Sequence, residues 1–334
     1  MITSLNRRAY LTWLGMLAAG SVLAPVAPAH AQERPASDFP NRPIRVIVPL
    51  SSGSGGDGYA RLFSEKLNGL LGQPVIIENL PGAGGTVAAA AFKRAPADGY
   101  TFLLATAGLI SGNPLFVRNL PYNPATDFVP VAGVARGMNV FIVPSASPIR
   151  SLADLVVHAK HAKALLNCGT VSPLYQVSQQ WFAKLAGINF SNVPYKASGG
   201  LVADIAGEQL ELAVTDLASA APLMRAGKVR ALAVTGATRH PEFPNLPTVM
   251  ESGWPDYVNY AWVAFYARSE TPSAVIKKFG NAVLSVQQSA EAKELATRFG
   301  GELMPMNSVE LRTFQQGEFE RFRAVAKSSG IEPQ

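Results

Sequence analysis

The order of strands and helices constrains the fold of this chain more than any other feature of its sequence. Residues 44–50 read IRVIVPL, a β-branched run of strand length, and a loop of serine and glycine separates them from a helical stretch. The same order repeats with a strand at 74–78 and a loop at 81–86, and a third strand is predicted at 100–106. Serial units of this kind predict an α/β fold built on a doubly wound parallel sheet. Spacings of three and four give the first helix an apolar stripe made of Ala60, Phe63, Leu67 and Leu70.

A second series of the same units follows the strand MNVFIVP at 138–144. Strands are predicted at 210–215 and 229–235, and the strand-like segment YAWVAFYA at 260–267 precedes helices that continue to the end of the chain. The simplest topology is one lobe interrupted by another, with the strands at 138–144 and 260–267 crossing between the lobes as a hinge. We expect lobe 1 to comprise residues 32–140 and 262–334, and lobe 2 to comprise residues 141–261.

Two helix starts carry recognisable signals. Ser151 and Asp154 have the spacing at which a serine hydroxyl and an acidic side chain cap the same helix. Thr271 precedes Pro272, and proline is favoured at the first position of a helix. A helix is therefore predicted to begin at each of these points.

The first 31 residues have the features of a cleavable signal peptide. Arg7 and Arg8 precede an apolar stretch that ends in Ala29-His30-Ala31 and is too short and too interrupted by glycine and proline to form a permanent membrane helix. We therefore expect a soluble protein exported to the periplasm. The two arginines also resemble a twin-arginine signal, so the general and the twin-arginine export routes both remain open.

Charge and composition exclude several classes of partner. Loss of the leader with its two arginines lowers the formal net charge from +6 to +4. The cations are scattered, so no nucleic-acid-binding stripe is predicted, although a weakly positive field favours an anionic solute. Cys168 is the only cysteine, so no internal disulfide can form, and its apolar surroundings predict a buried, inert thiol. His158 and His161 lack a partner at metal-ligand spacing and are interpreted as surface residues, so neither a metal site nor a cofactor is predicted.

The loops that follow predicted strands are rich in glycine and in hydroxyl side chains. Ligands of open parallel sheets bind beyond the carboxyl ends of the strands, where small residues allow close approach and unpaired N–H groups at a helix start favour an anion. A tight turn explains any one such loop equally well, but several loops from two lobes favour a binding cleft. The predicted ligand-binding residues are Ser51, Ser52, Gly53, Ser54, Asp57, Ala83, Gly84, Gly85, Thr86 and Thr106 in lobe 1, and Thr170, Ser172, Tyr175 and Asp216 in lobe 2.

Asp216 admits two interpretations. A carboxylate beside a site suited to anions would repel an acid unless it met an ammonium or hydroxyl donor, so this residue would set specificity. The alternative is an N-cap for a helix that begins near Ala218. The sequence leaves both interpretations open.

Two enzyme classes compete with a binding protein. The segment Gly53-Ser54-Gly55-Gly56-Asp57-Gly58 matches the dinucleotide-binding pattern G-x-G-x-x-G after a strand, with Glu78 ending the next strand. However, the interval to Glu78 is longer than usual, Asp57 would lie near the pyrophosphate, and an exported compartment holds little free nicotinamide cofactor. A serine hydrolase is disfavoured because no G-x-S-x-G occurs and His240 lies in a polar, proline-rich stretch. No catalytic residue is therefore assigned, and an enzyme is not expected.

Several short segments occur along the chain in a characteristic order. They are PIRVIVP at 43–49 with Gly53 and Asp57, ENLPGAGG at 78–85, ADGYT at 97–101, VPYK at 193–196, AGKVRALAVT at 226–235 and LPTV at 246–249. Each segment is weak evidence alone. In this order, at these intervals and behind a signal peptide, they closely resemble the receptor family of tripartite tricarboxylate transporters, often called Bug proteins, over nearly the whole mature sequence.

The resemblance implies a type II periplasmic-binding-protein fold, in which two doubly wound α/β lobes are joined by two crossing strands and close on a small organic acid or amino acid. It also implies that the family's first two loops grip one ligand carboxylate and that two membrane subunits of a transporter receive the loaded receptor. We expect a monomer. The same closing cleft would serve an exported sensory module that signals to a membrane protein, and the sequence does not separate the two functions.

The chain departs from the family pattern within the loops. Ser51-Ser52 stands where the family usually has a proline pair, and Ser54 replaces a usual glycine. The second-lobe loop, which includes Tyr175 and Gln176, is shorter than the usual Gly/Ser loop that ends in histidine. The roles of Tyr175 and Gln176 at the far end of the ligand are therefore left open.

Overall fold

The computed structural model describes residues 38–328, so the predicted signal peptide lies outside the described residues. The strands in this range are β1 (Ile44–Val48), β2 (Val75–Asn79), β3 (Thr101–Thr106), β4 (Phe128–Pro144), β5 (Leu166–Thr170), β6 (Phe190–Pro194), β7 (Leu212–Asp216), β8 (Val229–Val234), β9 (Tyr260–Arg268) and β10 (Gly301–Leu303). The helices are α1 (Gly55–Leu71), α2 (Thr86–Arg94), α3 (Asn113–Phe116), α4 (Pro124–Asp127), α5 (Leu152–His161), α6 (Pro173–Ala186), α7 (Ser198–Ala206), α8 (Leu217–Arg225), α9 (Ser273–Val286), α10 (Ala290–Arg298) and α11 (Ser308–Ser328). None of these helices has the length and apolar character that a membrane span requires.

The strands form two groups joined by one long strand. In the first group β2, β1 and β3 run parallel, and β9 lies antiparallel between β3 and β4. In the second group β6, β5 and β7 run parallel, and β4 pairs antiparallel with β7 and β8. Strand β4 belongs to both groups, because its first half pairs with β9 and β10 and its second half with β7 and β8.

Helices cover both faces of each strand group, as a doubly wound sheet requires. In the first group, α1 and α9 bring Phe63 and Phe279 to the core on one face, whereas α2 and α11 bring Phe92 and Phe322 to the core on the other. In the second group, α6 buries Phe182 on one face, and α7 and α8 cover the opposite face. The prediction of doubly wound α/β lobes is confirmed.

The chain passes between the two strand groups at two neighbouring places. In β4 the pairing changes between Met138, which is opposite Tyr260 of β9, and Asn139, which is paired with β7. The return passes through Asn259, whose N–H donates to the Thr235 carbonyl at 2.8 Å immediately before β9 begins. Thr235 Oγ1 accepts from the Asn139 N–H at 2.9 Å and donates to the Asn259 carbonyl at 2.6 Å. One threonine therefore fastens both crossing points together.

Three local predictions are confirmed. Ser151 Oγ accepts from the Asp154 N–H at 3.0 Å and caps α5. Cys168 is fully buried, and this burial raises the pKa of its thiol, which disfavours the reactive thiolate. His158 and His161 are exposed.

Four details differ from the predictions. The pairings of β9 are with β3 and β4, so the crossing on this side falls at Asn259 rather than along 260–267. Pro272 is the N-cap of α9 rather than its first residue. The region after β9 is not entirely helical, because Gly301–Leu303 form strand β10, which pairs with β4. Leu70 is 55% exposed, because the buried stripe of α1 ends at Leu67 before Gly72 closes the helix in the left-handed conformation.

Candidate ligand-binding cleft

The loops predicted to bind a ligand come together beyond the carboxyl ends of the strands. Strands β1, β2 and β3 are parallel neighbours, so the loops after them leave the same edge of the sheet. We call the loops after β1, β2 and β3 the first, second and third loops. A Cβ atom at Gly85 in the second loop would lie 3.2 Å from Pro49 Cβ and 3.0 Å from Leu109 Cδ1, so the second loop touches both the first and the third. The turn after the third loop reaches the other strand group, because a Cβ at Gly112 would lie 3.8 Å from Leu174 Cβ in α6. The loops of the two strand groups thus form one contiguous region.

Asp57 organises the first loop from inside the protein. Its side chain is buried, and Oδ2 accepts from the Gly53 N–H and from Arg61 Nε, both at 2.8 Å. Oδ1 accepts from Asn79 Nδ2 at 2.8 Å. The carboxylate therefore ties the start of α1 to the end of β2. This geometry makes Asp57 a residue that positions the loop rather than one that presents its oxygens to a ligand.

The charge of Asp57 is stabilised together with that of Arg61. Burial raises the pKa of the Asp57 carboxyl, but the hydrogen bonds from Arg61, Gly53 and Asn79 outweigh it, so the pKa lies below its ordinary value of 3.8. Arg61 also donates to Ser52 Oγ at 3.2 Å, and its side chain is 55% exposed. The guanidinium of Arg61 therefore lies at the surface, beside the first loop.

The hydroxyls of the first strand group divide by whether they bond to the backbone of their own loop. Ser54 Oγ accepts from the Asp57 N–H at 3.3 Å and caps α1, and Thr106 Oγ1 accepts from the Leu109 N–H at 3.2 Å. Ser51 and Ser52 are exposed at the front of the loop. Ser54 and Thr106 therefore shape their loops, whereas Ser51 and Ser52 are accessible to a ligand.

The second loop presents its backbone in the left-handed region. Ala83, Gly84 and Gly85 have φ angles of 46°, 61° and 92°. The Gly84 carbonyl accepts from Asn113 Nδ2 at 3.0 Å, and this buried amide also donates to the Tyr122 hydroxyl at 3.1 Å. Ala83 and Gly84 are exposed, whereas Gly85 is buried. The loop is thus fixed from behind, with its exposed backbone leading into α2, which begins at Thr86.

Thr170 and Ser172 take different positions in the second strand group. Thr170 is buried, and its hydroxyl donates to Asn192 Oδ1 at 2.7 Å, so it ties β5 to β6. Ser172 is partly exposed at the N-cap of α6, and its side chain makes no capping hydrogen bond. Of these two hydroxyls, that of Ser172 is the more available to a ligand.

The Asp216 carboxylate acts electrostatically on the Tyr175 hydroxyl. Burial raises the pKa of the Tyr175 hydroxyl well above its ordinary value, and the Asp216 carboxylate raises it further. Asp216 Oδ1 accepts from the Ser219 N–H at 2.8 Å, and Oδ2 accepts from Ser198 Oγ at 2.6 Å. The N-cap interpretation of Asp216 is therefore confirmed, with α8 beginning at Leu217. A role in specificity stays a prediction.

Sequence reasoning missed the side chains that hold the loops from behind. Asn79 donates to the Leu50 carbonyl at 3.0 Å as well as to Asp57, and Asn113 holds the second loop. The position of Asn79 at the carboxyl end of a strand is a usable signal, because a side chain there reaches the neighbouring loop. No local pattern connects Asn113 with Gly84, since tertiary packing alone brings them together.

A family model described as the tripartite tricarboxylate transporter family receptor matches residues 59–331. The chain belongs to this family. Protein BugT of Bordetella pertussis is 30% identical to it over 337 residues, which cover 98% of this chain and 99% of that protein. The solved structure of Rpa4515 from R. palustris with adipate is 33% identical, has a TM-score of 0.83, and covers 89% of this chain and 100% of that one. MatC from Rhodopseudomonas palustris with bound malate is 28% identical, with a TM-score of 0.78 and coverage of 86% and 99%.

Membership of the receptor family confirms the predicted resemblance and the two-lobed, type II binding-protein fold. It also confirms that the chain is a solute-binding protein and not an enzyme. The G-x-G-x-x-G match has a structural explanation in this family member. Gly53 adopts a φ of 83°, Asp57 turns inward, and a Cβ at Gly58 would lie 2.6 Å from the ring of Phe299. Backbone shape and helix packing therefore account for the pattern.

Proposed function

We propose that this receptor captures a small carboxylate between its two lobes in the periplasm and delivers it to the membrane subunits of a tripartite tricarboxylate transporter. The observation that supports the proposal most strongly is that buried side chains hold the first two loops in place by hydrogen bonds. Asp57 and Asn113 bond to the inner sides of these loops, and Ser51, Ser52 and the backbone of Ala83 and Gly84 remain exposed. A backbone that is already held in place loses little freedom when it binds a ligand.

The same region favours an anion. The first two loops lead into the N-terminal ends of α1 and α2, where backbone N–H groups and the helix dipole attract negative charge. Arg61, although ion-paired with Asp57, adds exposed N–H donors beside Ser52. The related structures that contain adipate and malate support a carboxylate as the ligand class.

A thermal-shift screen tests the ligand class. A carboxylate at about 100 times its Kd should stabilise the protein by about 2.7 kcal/mol. At about 2–4 °C per kcal/mol, this corresponds to a rise in Tm of about 5–10 °C. Ser51→Ala combined with Ser52→Ala should reduce the rise, whereas Ser145→Ala, at an exposed serine of the other lobe, should leave it unchanged. Stabilisation by sugars or metal cations but by no carboxylate would overturn the proposal.

Delivery to a membrane partner requires that the loaded form differ in shape from the empty one. In the proposed mechanism the two strand groups, which correspond to the lobes predicted at 32–140 with 262–334 and at 141–261, close against each other by bending at the two crossing points. A ligand drives closure only through contacts that differ between the open and closed states, so contacts from both lobes are needed. Small-angle scattering should show a smaller radius of gyration at saturating carboxylate and a monomer in both states. An unchanged radius, with binding confirmed by calorimetry, would refute hinge closure.

A further inference from the structure

Three buried amide side chains lie where the chain crosses between the strand groups. They are Asn139 in β4, Gln179 in α6 and Asn259 just before β9, and the latter two are 0% exposed. Asn139 Oδ1 and both terminal atoms of Gln179 and of Asn259 have no hydrogen-bond partner within the described chain. Buried amides normally find partners, so a group of unpaired ones requires an explanation.

Hydrogen bonds place Asn139 and Asn259 at one joint, and Gln179 follows a residue that is bonded to the same return segment. Thr235 bonds to the backbones of both Asn139 and Asn259, as described above. Gln179 follows Ser178, whose Oγ lies 2.5 Å from the Tyr257 hydroxyl and whose carbonyl accepts from it at 3.0 Å. Tyr257 is two residues before Asn259. The return segment therefore contacts both the crossing strand, through Thr235, and α6, through Tyr257, and we call the group of Asn139, Gln179 and Asn259 the amide joint.

The amide joint adjoins the second-lobe part of the candidate cleft. Asn139 is directly opposite Asp216 in the register of β4 and β7. Gln179 lies one helical turn after Tyr175, so the two residues share a face of α6. Since Asp216 also acts on Tyr175, the joint and these predicted ligand-binding residues are neighbours.

The charges near the joint disfavour a second carboxylate on the ligand. Arg321 donates to the Val258 carbonyl next to Asn259, but Glu318 neutralises it through a bidentate pair at 2.7–2.8 Å. Asp216 is then the unbalanced charge among these groups, and it is negative. Because Arg321 is already paired, a carboxylate buried beside Asp216 would be repelled, whereas a neutral amide or hydroxyl would meet unpaired donors and acceptors.

We propose that the amide joint sets specificity, with Gln179, Asn259 and Asn139 pairing with a neutral polar group at the far end of the ligand when the lobes close. The preferred ligand is then a monocarboxylate that carries a carboxamide or hydroxyl at its other end, rather than a dicarboxylate. This inference rests on the proposed function, because the first two loops must hold the single carboxylate.

Calorimetric titration with matched pairs of ligands tests the proposal. Each dicarboxylate from succinate to adipate is compared with its own monoamide, which has the same chain length and one charge fewer. The monoamide of the preferred length should bind at least about tenfold more tightly, the ratio that about 1.4 kcal/mol of additional pairing produces. A dicarboxylate that binds as tightly as its monoamide at every length would overturn the specificity proposal and leave the proposed function intact. If no compound of either class binds, the proposed function fails as well.

Variants show whether the joint causes the preference. Gln179→Leu should abolish the preference for the monoamide while changing dicarboxylate affinity less than about twofold, because only the neutral group uses the joint. Gln180→Leu is the matched control, since the neighbouring glutamine of the same helix is partly exposed, and it should retain the preference. Asn259→Leu provides a second test if Gln179→Leu does not fold, and circular dichroism checks each variant. A preference that survives in both Gln179→Leu and Asn259→Leu would refute the proposal.

Discussion

Replacing Asp57 with alanine should damage the candidate cleft more than any other single change in the first loop. The substitution removes the acceptor for the Gly53 N–H, Asn79 Nδ2 and Arg61 Nε, each at 2.8 Å. A hydrogen bond to a charged group contributes about 1.5–3 kcal/mol, and the share of the half-exposed Arg61 is smaller because solvent screens it. The bonds from Gly53 and Asn79 alone set the loss of stability at about 3 kcal/mol or more, which lowers Tm by at least roughly 6 °C.

Thermal melting and calorimetric titration of the same samples at neutral pH measure this effect. Asp57→Ala should lower both Tm and the affinity for carboxylates, because the loop backbone loses its support. Asp57→Asn keeps a hydrogen-bond acceptor and should fall between alanine and the wild type. Glu291→Ala, which removes a surface partner of Lys66, serves as the control and should melt with the wild type. If Asp57→Ala also melts with the wild type, the loop does not depend on this carboxylate.

The pH dependence of stability provides an independent check of the same reasoning. The pKa of Asp57 is lower in the folded protein than its ordinary value of 3.8, so its charge stabilises the fold above that pH. This contribution is lost as the pH falls below about 4 and the carboxyl becomes protonated in the folded state. The stability difference between the wild type and Asp57→Asn should therefore be constant near neutral pH and shrink in acid. A difference that grows as the pH falls would contradict the assigned direction of the shift.

Three further predictions concern the cap of α8, the second loop and His240. Asp216→Ala should lower the free energy of unfolding by about 1 kcal/mol in urea denaturation, whereas Asp216→Asn should not, because asparagine caps equally well; equal losses would argue against the cap. Gly85→Ala should cost about 2 kcal/mol by the same measurement, since φ is 92° and the new Cβ would meet Leu109 at 3.0 Å. Burial lowers the pKa of His240 below its ordinary value of 6.5. As the pH falls, His240 is therefore protonated in the unfolded chain before it is protonated in the folded one, and the fold should lose stability below about pH 6.5. His240→Gln should flatten that part of the pH profile, and an unchanged slope would show that other groups cause it.

The sequence specified the architecture well because strand and helix periodicities are local properties. The strands at 44–50, 74–78 and 100–106 and the cap at Ser151 were each visible in a few consecutive residues, and the structure confirms them. The short strand β10 was missed because its three residues gain their strand conformation by pairing with β4, which is distant in sequence.

The candidate site was predictable only in part, for the same reason. Glycines and hydroxyls after strands indicated loops that the structure brings side by side, but their pattern did not show which groups point inward. Asp57 and Thr170 were predicted to contact a ligand, and the structure shows that their side chains bond to Asn79 and Asn192. Such pairings depend on which loops lie next to each other in the fold, and spacing along the sequence does not show this.

The position of β9 in the sheet determines the order in which the two strand groups can be completed. Leu103 of β3 pairs with Tyr266 of β9, so the first group lacks a central strand until most of the chain is available. The second group, in contrast, is assembled from β4 to β8, which follow one another without interruption. Contacts between distant residues form slowly because a long loop must close first. During synthesis the first strand group therefore stays incomplete until β9, at Tyr260–Arg268, has emerged.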